Sequence, residues 1–226
     1  ANAFRQSSVL DSIKSGARGS VAVALSFWSA ANQQKVGLDW TQISDQASAN
    51  AFADSLGSLS RPYSSTTALA SAINHGITLF GTETGGTDNG FSSLVQVIDV
   101  GGDGEDNASP WASSNLSLAV RAARDGALKA GVDMINGLPI GRGEGNLAGY
   151  YAANVVGGEA GGVKSFVQPT ATFADIEKSL TTKLTREVGA AAAQSIENVA
   201  SVPEPGYLPL FAGPLGMLLL ARRRNP

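Results

Sequence analysis

Apolar positions along the chain follow two rhythms. In the first they form short, nearly continuous runs of strand length: Ser20 to Trp28 (SVAVALSFW), Leu94 to Val100 (LVQVIDV) and Val132 to Ile140 (VDMINGLPI). Apolar residues fall on both alternating faces of these runs, which predicts strands of a parallel sheet covered on two sides. Lys35 to Ile43 (KVGLDWTQI) differs, because Val36, Leu38 and Trp40 turn one way and polar residues the other. A period of two with one wet face predicts an edge strand.

The second rhythm is helical. Phe4, Val9, Leu10 and Ile13 recur at helical spacing in Ala1 to Ser15, with Gly16 as a stop. Ala49, Phe52, Ala53 and Leu56 do the same in Asp45 to Leu59. Thr67 opens a third helix, TALASAINHGITLF, where its hydroxyl would accept a bond from an early backbone N–H. Asn115 to Ala130 and Asn146 to Asn154 follow, and Thr172 to Asn198 is the longest, opened by a Thr-x-x-Asp box at Thr172 and Asp175. Ser165 to Val167 reads as a last short strand. Strands alternating with helices predict an α/β fold with a doubly wound, mostly parallel sheet and right-handed crossovers.

Composition narrows the chemistry. With 226 residues, 43% hydrophobic and 15% charged, the chain is globular and sized for one core. A formal charge of -3 gives no basic field, so no nucleic-acid partner is expected. No cysteine is present, which excludes disulfides, zinc–thiolate sites and a cysteine nucleophile. The one histidine, His75, falls inside a helix, and no Gly-x-Ser-x-Gly elbow accompanies it. GGEAGGVKS at Gly157 to Ser165 lacks the Gly-Lys pair of a phosphate loop, and GRGEGN at Gly141 to Asn146 is not a dinucleotide fingerprint. The chain is therefore not expected to be an enzyme.

What remains is the loop after LVQVIDV. Paired glycines break the strand, and Asp103, Glu105 and Asp106 follow within four positions. Taken alone it reads first as a solvated turn, with a hard-cation site as the alternative. It is not an EF-hand loop, because Gly104 comes too early and the twelfth position would be Ser114. In open α/β sheets ligands sit beyond the carboxyl ends of the strands. Thr67, with Thr66 as a near alternative, and Asp103 would both lie there.

These residues carry a resemblance. TTALASAI followed by a strand and GDG resembles the second and third metal-site segments of von Willebrand factor A domains. FWS, the Trp40 segment, VIDVGGDG, MINGLPI, Tyr150–Tyr151 and the closing KLTREV are similar, in matching order over about residues 1 to 188, to a bacterial von Willebrand A-like family of unknown function. The resemblance implies a sheet lacking its first strand. It also implies a metal-ion-dependent adhesion site for magnesium (Mg2+), of which Thr67 and Asp103 are the matched remainder. The Asp-x-Ser-x-Ser motif that carries the rest of such a site is absent, and the chain opens in the helix that would follow it. Preceding sequence is expected to encode a signal peptide and that strand. Gly101 stands where the family usually has Ser.

The tail carries a second resemblance. Val202, Pro203, Glu204 and Pro205 precede an apolar stretch from Gly206 to Ala221 and then Arg222, Arg223 and Arg224. The arrangement resembles the PEP-CTERM sorting signal of Gram-negative bacteria, which implies exosortase as a partner. As a short apolar helix, Gly206 to Ala221 would span about 24 Å at roughly 1.5 Å per residue. That is less than the roughly 30 Å hydrocarbon core and suits transient inner-membrane insertion. Residues 1–198 are thus expected to form a partial von Willebrand A-like domain and 199–226 the sorting signal. The expected product is an exported surface or matrix protein. It would bind a protein or polysaccharide ligand through the metal site, the alternative being a metal-free structural component.

Overall fold

A computed structural model describes residues 1–16, 18–111, 114–141, 146–171, 175–200 and 215–216. A 3₁₀ turn at Asn2–Arg5 leads into α1 (Ser7–Ser15), with extended backbone at Gln6 between them. β1 (Val21–Trp28) and β2 (Gln34–Ile43) form an antiparallel pair. α2 (Gln46–Gly57) is opened by a reciprocal capping box between Asp45 and Ser48, and those bonds hold the Asp45 carboxyl below its usual range. Then come α3 (Leu69–Leu79), β3 (Val97–Gly102), α4 (Leu116–Ala130), β4 (Met134–Pro139) and α5 (Leu147–Asn154). The hairpin β5 (Gly157–Ala160) and β6 (Val163–Lys164), α6 (Ile176–Ala200) and β7 (Leu215–Gly216) complete the order.

The buried strands divide their side chains between two faces. Val21, Val23, Val97 and Met134 pack with Phe4, Val9, Phe52, Leu184 and Val188, from α1, α2, α6 and the opening turn. Ala24, Ile98, Val100 and Ile135 pack with Leu69, Ile73, Val120, Ala123 and Tyr151, from α3, α4 and α5. Helices thus cover both faces, which is why these strands are apolar throughout. β2 is only partly covered, as an edge strand is, but its exposure does not alternate: Val36, expected on the apolar side with Leu38 and Trp40, is exposed. Its Trp40 nevertheless anchors inward, donating from Nε1 to the Leu79 carbonyl at 2.9 Å and lying 5.7 Å from the Phe80 ring.

The strands do not form the single, mostly parallel sheet expected. They form two mixed sheets, ordered β2-β1-β7 and β3-β4-β5-β6. β3 runs parallel to β4, while β4–β5 and β5–β6 are antiparallel. β1 and β3 do not pair with each other. A cavity of about 240 Å³ lies between them, lined by Leu25, Ser26 and Trp28 from one and Ile98 to Gly101 from the other.

Two local expectations are corrected, and a segment left without an element is placed. Gly101 and Gly102 continue β3, opposite Leu138 and Pro139, because a parallel neighbour supplies their hydrogen bonds. Gly157 to Lys164 is a hairpin, turned by Gly161 and Gly162, both at positive φ (52° and 72°). The expected apolar helix from Gly206 to Ala221 contains a strand at Leu215–Gly216, parallel to Val21–Ala22. Among the described residues no helix is long and apolar enough to cross a membrane. The rest of that stretch, Val202 to Pro205, Arg222 to Arg224 and Thr172 lie outside the described residues.

Close packing explains one further glycine. A Cβ at Gly137, in the middle of β4, would stand 2.7 Å from Tyr151 Cδ1 and 3.3 Å from Val156 Cγ1. The buried Tyr151 ring sits directly against β4 backbone.

Candidate functional site

The carboxyl ends of β1 and β3 open into a second cavity of about 360 Å³. Its walls are the end of β1 (Ser26 to Trp28) and the following Ser29, Arg61, Ser65 to Thr67, Gly101 to Asp103 and Ile140. Thr67 and Asp103 therefore line one cavity, and Thr66 lies beside them.

Local bonds fix both segments. The Ser29 hydroxyl donates to the Thr66 carbonyl at 3.0 Å and accepts from the Ser65 N–H at 3.1 Å, while Ala68 N–H donates to the Ser29 carbonyl at 2.9 Å. The loop before α3 is thereby pinned to the end of β1. A two-bond clamp ties it to the acidic loop: Thr67 N–H donates to Asn107 Oδ1, and Asn107 N–H to the Thr67 carbonyl, each at 2.8 Å. A Cβ at Gly104 would stand 3.1 Å from Thr67 Oγ1, so glycine lets the hydroxyl lie against the loop. Thr67 does not cap α3, contrary to expectation. Its neighbour Ala68 is the N-cap residue, and no side-chain bond comes from it.

The capping group is Asp106, late in the acidic loop and buried. Its carboxylate accepts from Ala70 N–H at 3.0 Å, Ser109 N–H at 2.9 Å, Ser109 Oγ at 2.6 Å and Ala108 N–H at 3.2 Å. The three acids thus divide their work. Asp106 is turned inward and saturated, whereas Asp103 and Glu105 are exposed. Tyr150, whose hydroxyl accepts from Asp106 N–H at 3.3 Å, has its ionisation pushed up chiefly by burial.

Aromatic side chains crowd Gly102. A Cβ at Gly102 would stand 2.7 Å from the Tyr151 hydroxyl and 3.0 Å from the Trp28 ring. Burial drives the Tyr151 phenol far above its ordinary range, with the Asp103 charge adding to the shift.

The donor set suits a hard cation in kind: carboxylate and hydroxyl oxygen, without thiol or imidazole. It falls short in number. Thr67 and Asp103 supply two groups against about six oxygen ligands. Among the described residues no group of three or more His, Cys, Asp or Glu side chains could hold a metal. Arg61 adds positive charge to the same cavity wall. His75 lies elsewhere, in a separate cavity with Ser71, Asn74 and Thr78, and burial lowers its affinity for a proton.

One polar cluster lies outside the sequence expectations. On α6, Lys183 is wholly buried and reaches both Asp99 of β3 and Glu187 one turn along. Asn136 of β4 donates to Glu187 Oε1 at 2.6 Å and accepts from Phe166 N–H at 2.9 Å. Burial lowers the Lys183 pKa and raises that of Glu187, each partly offset by the other's charge. The signal was present: Lys183 and Glu187 alternate with Leu184 and Val188 on one helical face, and Asp99 interrupts an apolar strand.

The chain belongs to a family of proteins of unknown function, DUF1194, whose model matches residues 1–192. No curated protein and no solved structure gives a significant match.

Proposed function

We propose that this member of DUF1194 is a von Willebrand A-like binding protein rather than an enzyme, exported and working at the cell surface or in the extracellular matrix. The observation that carries the reading is that Thr67 and Asp103, distant in sequence, meet in one cavity beyond the carboxyl ends of β1 and β3. In such a site Thr67 and Asp103 would hold magnesium, which would accept an acidic group of a protein or polysaccharide partner as a last ligand. The chain's own contribution is placement. The Thr67–Asn107 clamp sets the hydroxyl, Asp106 braces the loop that carries Asp103, and Arg61 favours an anionic group entering the cavity.

Ligand count sets the expected affinity. Two groups displace too little of magnesium's hydration shell to offset its reluctant dehydration. The chain alone should bind it weakly or not at all by calorimetric titration. Extending the amino end with an apolar strand that finishes in Asp-x-Ser-x-Ser should restore binding. Asp103→Ala should then weaken it more than Thr67→Ala, and Glu105→Ala should change little. Tight binding by the present chain that survives Asp103→Ala would refute the assignment. The short donor set and Arg61 also support a second reading, a metal-free structural component of the surface or matrix. Failure of the extended chain to bind magnesium would favour it.

The reading includes sorting by exosortase, with transient insertion of the tail into the inner membrane. Mature protein should then lack Arg222 to Arg224, and Glu204→Ala or Pro205→Ala should leave unprocessed chain in that membrane. An intact carboxyl terminus on exported protein, seen by mass spectrometry, would rule processing out.

A further inference from the structure

The buried cluster between α6 and β3 holds the groups of a condensation reaction, and the Thr67–Asp103 cavity makes no use of them. Lys183 Nζ is in direct contact with Asp99 Oδ1 and with Glu187 Oε1. None of the three side chains is more than 5% exposed. Their chain neighbours Val97, Leu184 and Val188 belong to the buried apolar core, and the Phe166 ring centroid lies 5.5 Å from Nζ. Asn136 holds Glu187 Oε1 at 2.6 Å, while Glu187 Oε2 is buried with no hydrogen-bond partner among the described residues. An oxygen so placed suits a carboxyl that carries its own proton.

Charges alone are a costly way to join a helix to a strand, because burying each ion forfeits its hydration. Burial accordingly favours the uncharged forms, lowering the Lys183 pKa and raising that of Glu187. An amine held against one carboxyl group, with a second carboxyl touching the same nitrogen and bulk water kept away, is arranged for amide formation. The chain has no cysteine, so no disulfide can supply a covalent tie.

We infer that Lys183 and Asp99 condense to an isopeptide bond that ties α6 to β3, with Glu187 carrying protons between them. The Lys183 ammonium gives one proton to Glu187, which passes it to Asp99, leaving a neutral amine beside a neutral acid. The Nζ lone pair then forms a bond to Asp99 Cγ. As one Cγ–O bond breaks, the departing hydroxide takes a second proton from the nitrogen and leaves as water. Glu187 ends as the carboxylate it began as, and no oxidant, metal or second substrate is needed. The step removes one positive and one negative charge from the interior, which offsets the cost of making an amide where water is plentiful. The electrostatic cost of removing Lys183 belongs to the chain before condensation. The bond is independent of what the Thr67–Asp103 cavity holds.

The intact mass of the full purified chain, taken after denaturation, tests this directly. The parent should be lighter than its sequence by one water, and digestion should yield a branched peptide joining the Asp99 and Lys183 segments. Lys183→Met and Asp99→Ala should each keep their full sequence mass. Asp99→Asn retains an acceptor but releases ammonia in place of water, so it should arrive at the same crosslinked mass as the parent. Glu187→Gln keeps an oxygen for Asn136 and should convert at least about a hundredfold more slowly, the usual scale of a lost acid–base group. A parent at its full sequence mass would overturn the inference. So would a water loss that survives Lys183→Met, since the dehydration would then lie elsewhere, as at Asp103–Gly104. Conversion of Glu187→Gln at the parent's rate would overturn the proton-carrying role given to Glu187.

Discussion

Replacing Lys183 with methionine is expected to lower the unfolding free energy by about 3–5 kcal/mol, the cost of leaving buried carboxylates without their cation. Lys183 and Glu187 are fully buried and the Asp99 side chain is 5% exposed, so bulk water screens what remains only weakly. The cluster also joins separate elements: Asp99 on β3, Asn136 on β4 and Lys183 and Glu187 on α6. Through Asn136 it reaches the Phe166 backbone as well. Neutralising the whole cluster should be far milder. Lys183→Met combined with Asp99→Asn and Glu187→Gln should recover more than half of the loss. No unpaired charge is then left, and the amide introduced in place of the Glu187 carboxylate can still accept from Asn136. Urea titration followed by tryptophan fluorescence measures both variants. A single Lys183→Met variant within about 1 kcal/mol of the parent would show that the cluster is hydrated rather than buried.

Asp106→Ala is expected to cost about 3 kcal/mol, while Asp103→Ala, three residues earlier, should cost less than about 0.5 kcal/mol. The contrast follows from placement. Asp106 accepts four bonds, one of them from the first turn of α3, and removing it leaves the Ala70 N–H buried without its acceptor. Asp103 is exposed and lines the cavity rim. Amide exchange at Ala70 and Ser109 should accelerate in Asp106→Ala and stay unchanged in Asp103→Ala. Equal costs for the two variants would mean that Asp106 does not brace the loop.

The order of strands and helices was legible because burial on two faces or one leaves different periods in the chain. SVAVALSFW and MINGLPI could only be inner strands, and KVGLDWTQI only an edge. Positions set by partners far away in sequence were less legible. Gly101-Gly102 looks like a strand break until β4 lies beside it. Asp106 looks like one more solvated acid until α3 presents its free amides. The Gly161-Gly162 hairpin did have a local signature, two adjacent glycines between short strand segments, but those glycines also fit the outline of a phosphate loop. For the site, Thr67 and Asp103 were readable as neighbours at the sheet edge. Arg61 and the clamp through Asn107 were not, since nothing in their local sequence states which wall they face.

Tyr151 has a consequence for how this sequence can change over time. Its ring occupies the space that a side chain at Gly137 would need, and its hydroxyl occupies the space beside Gly102. Alanine at Gly137 should therefore be harmful while the tyrosine is present and much better tolerated once a smaller residue replaces it. The effect of each substitution depends on which came first. A lineage can exchange the aromatic key for a filled strand only through an intermediate that carries a void, so the pair is held in place by epistasis as much as by its own packing.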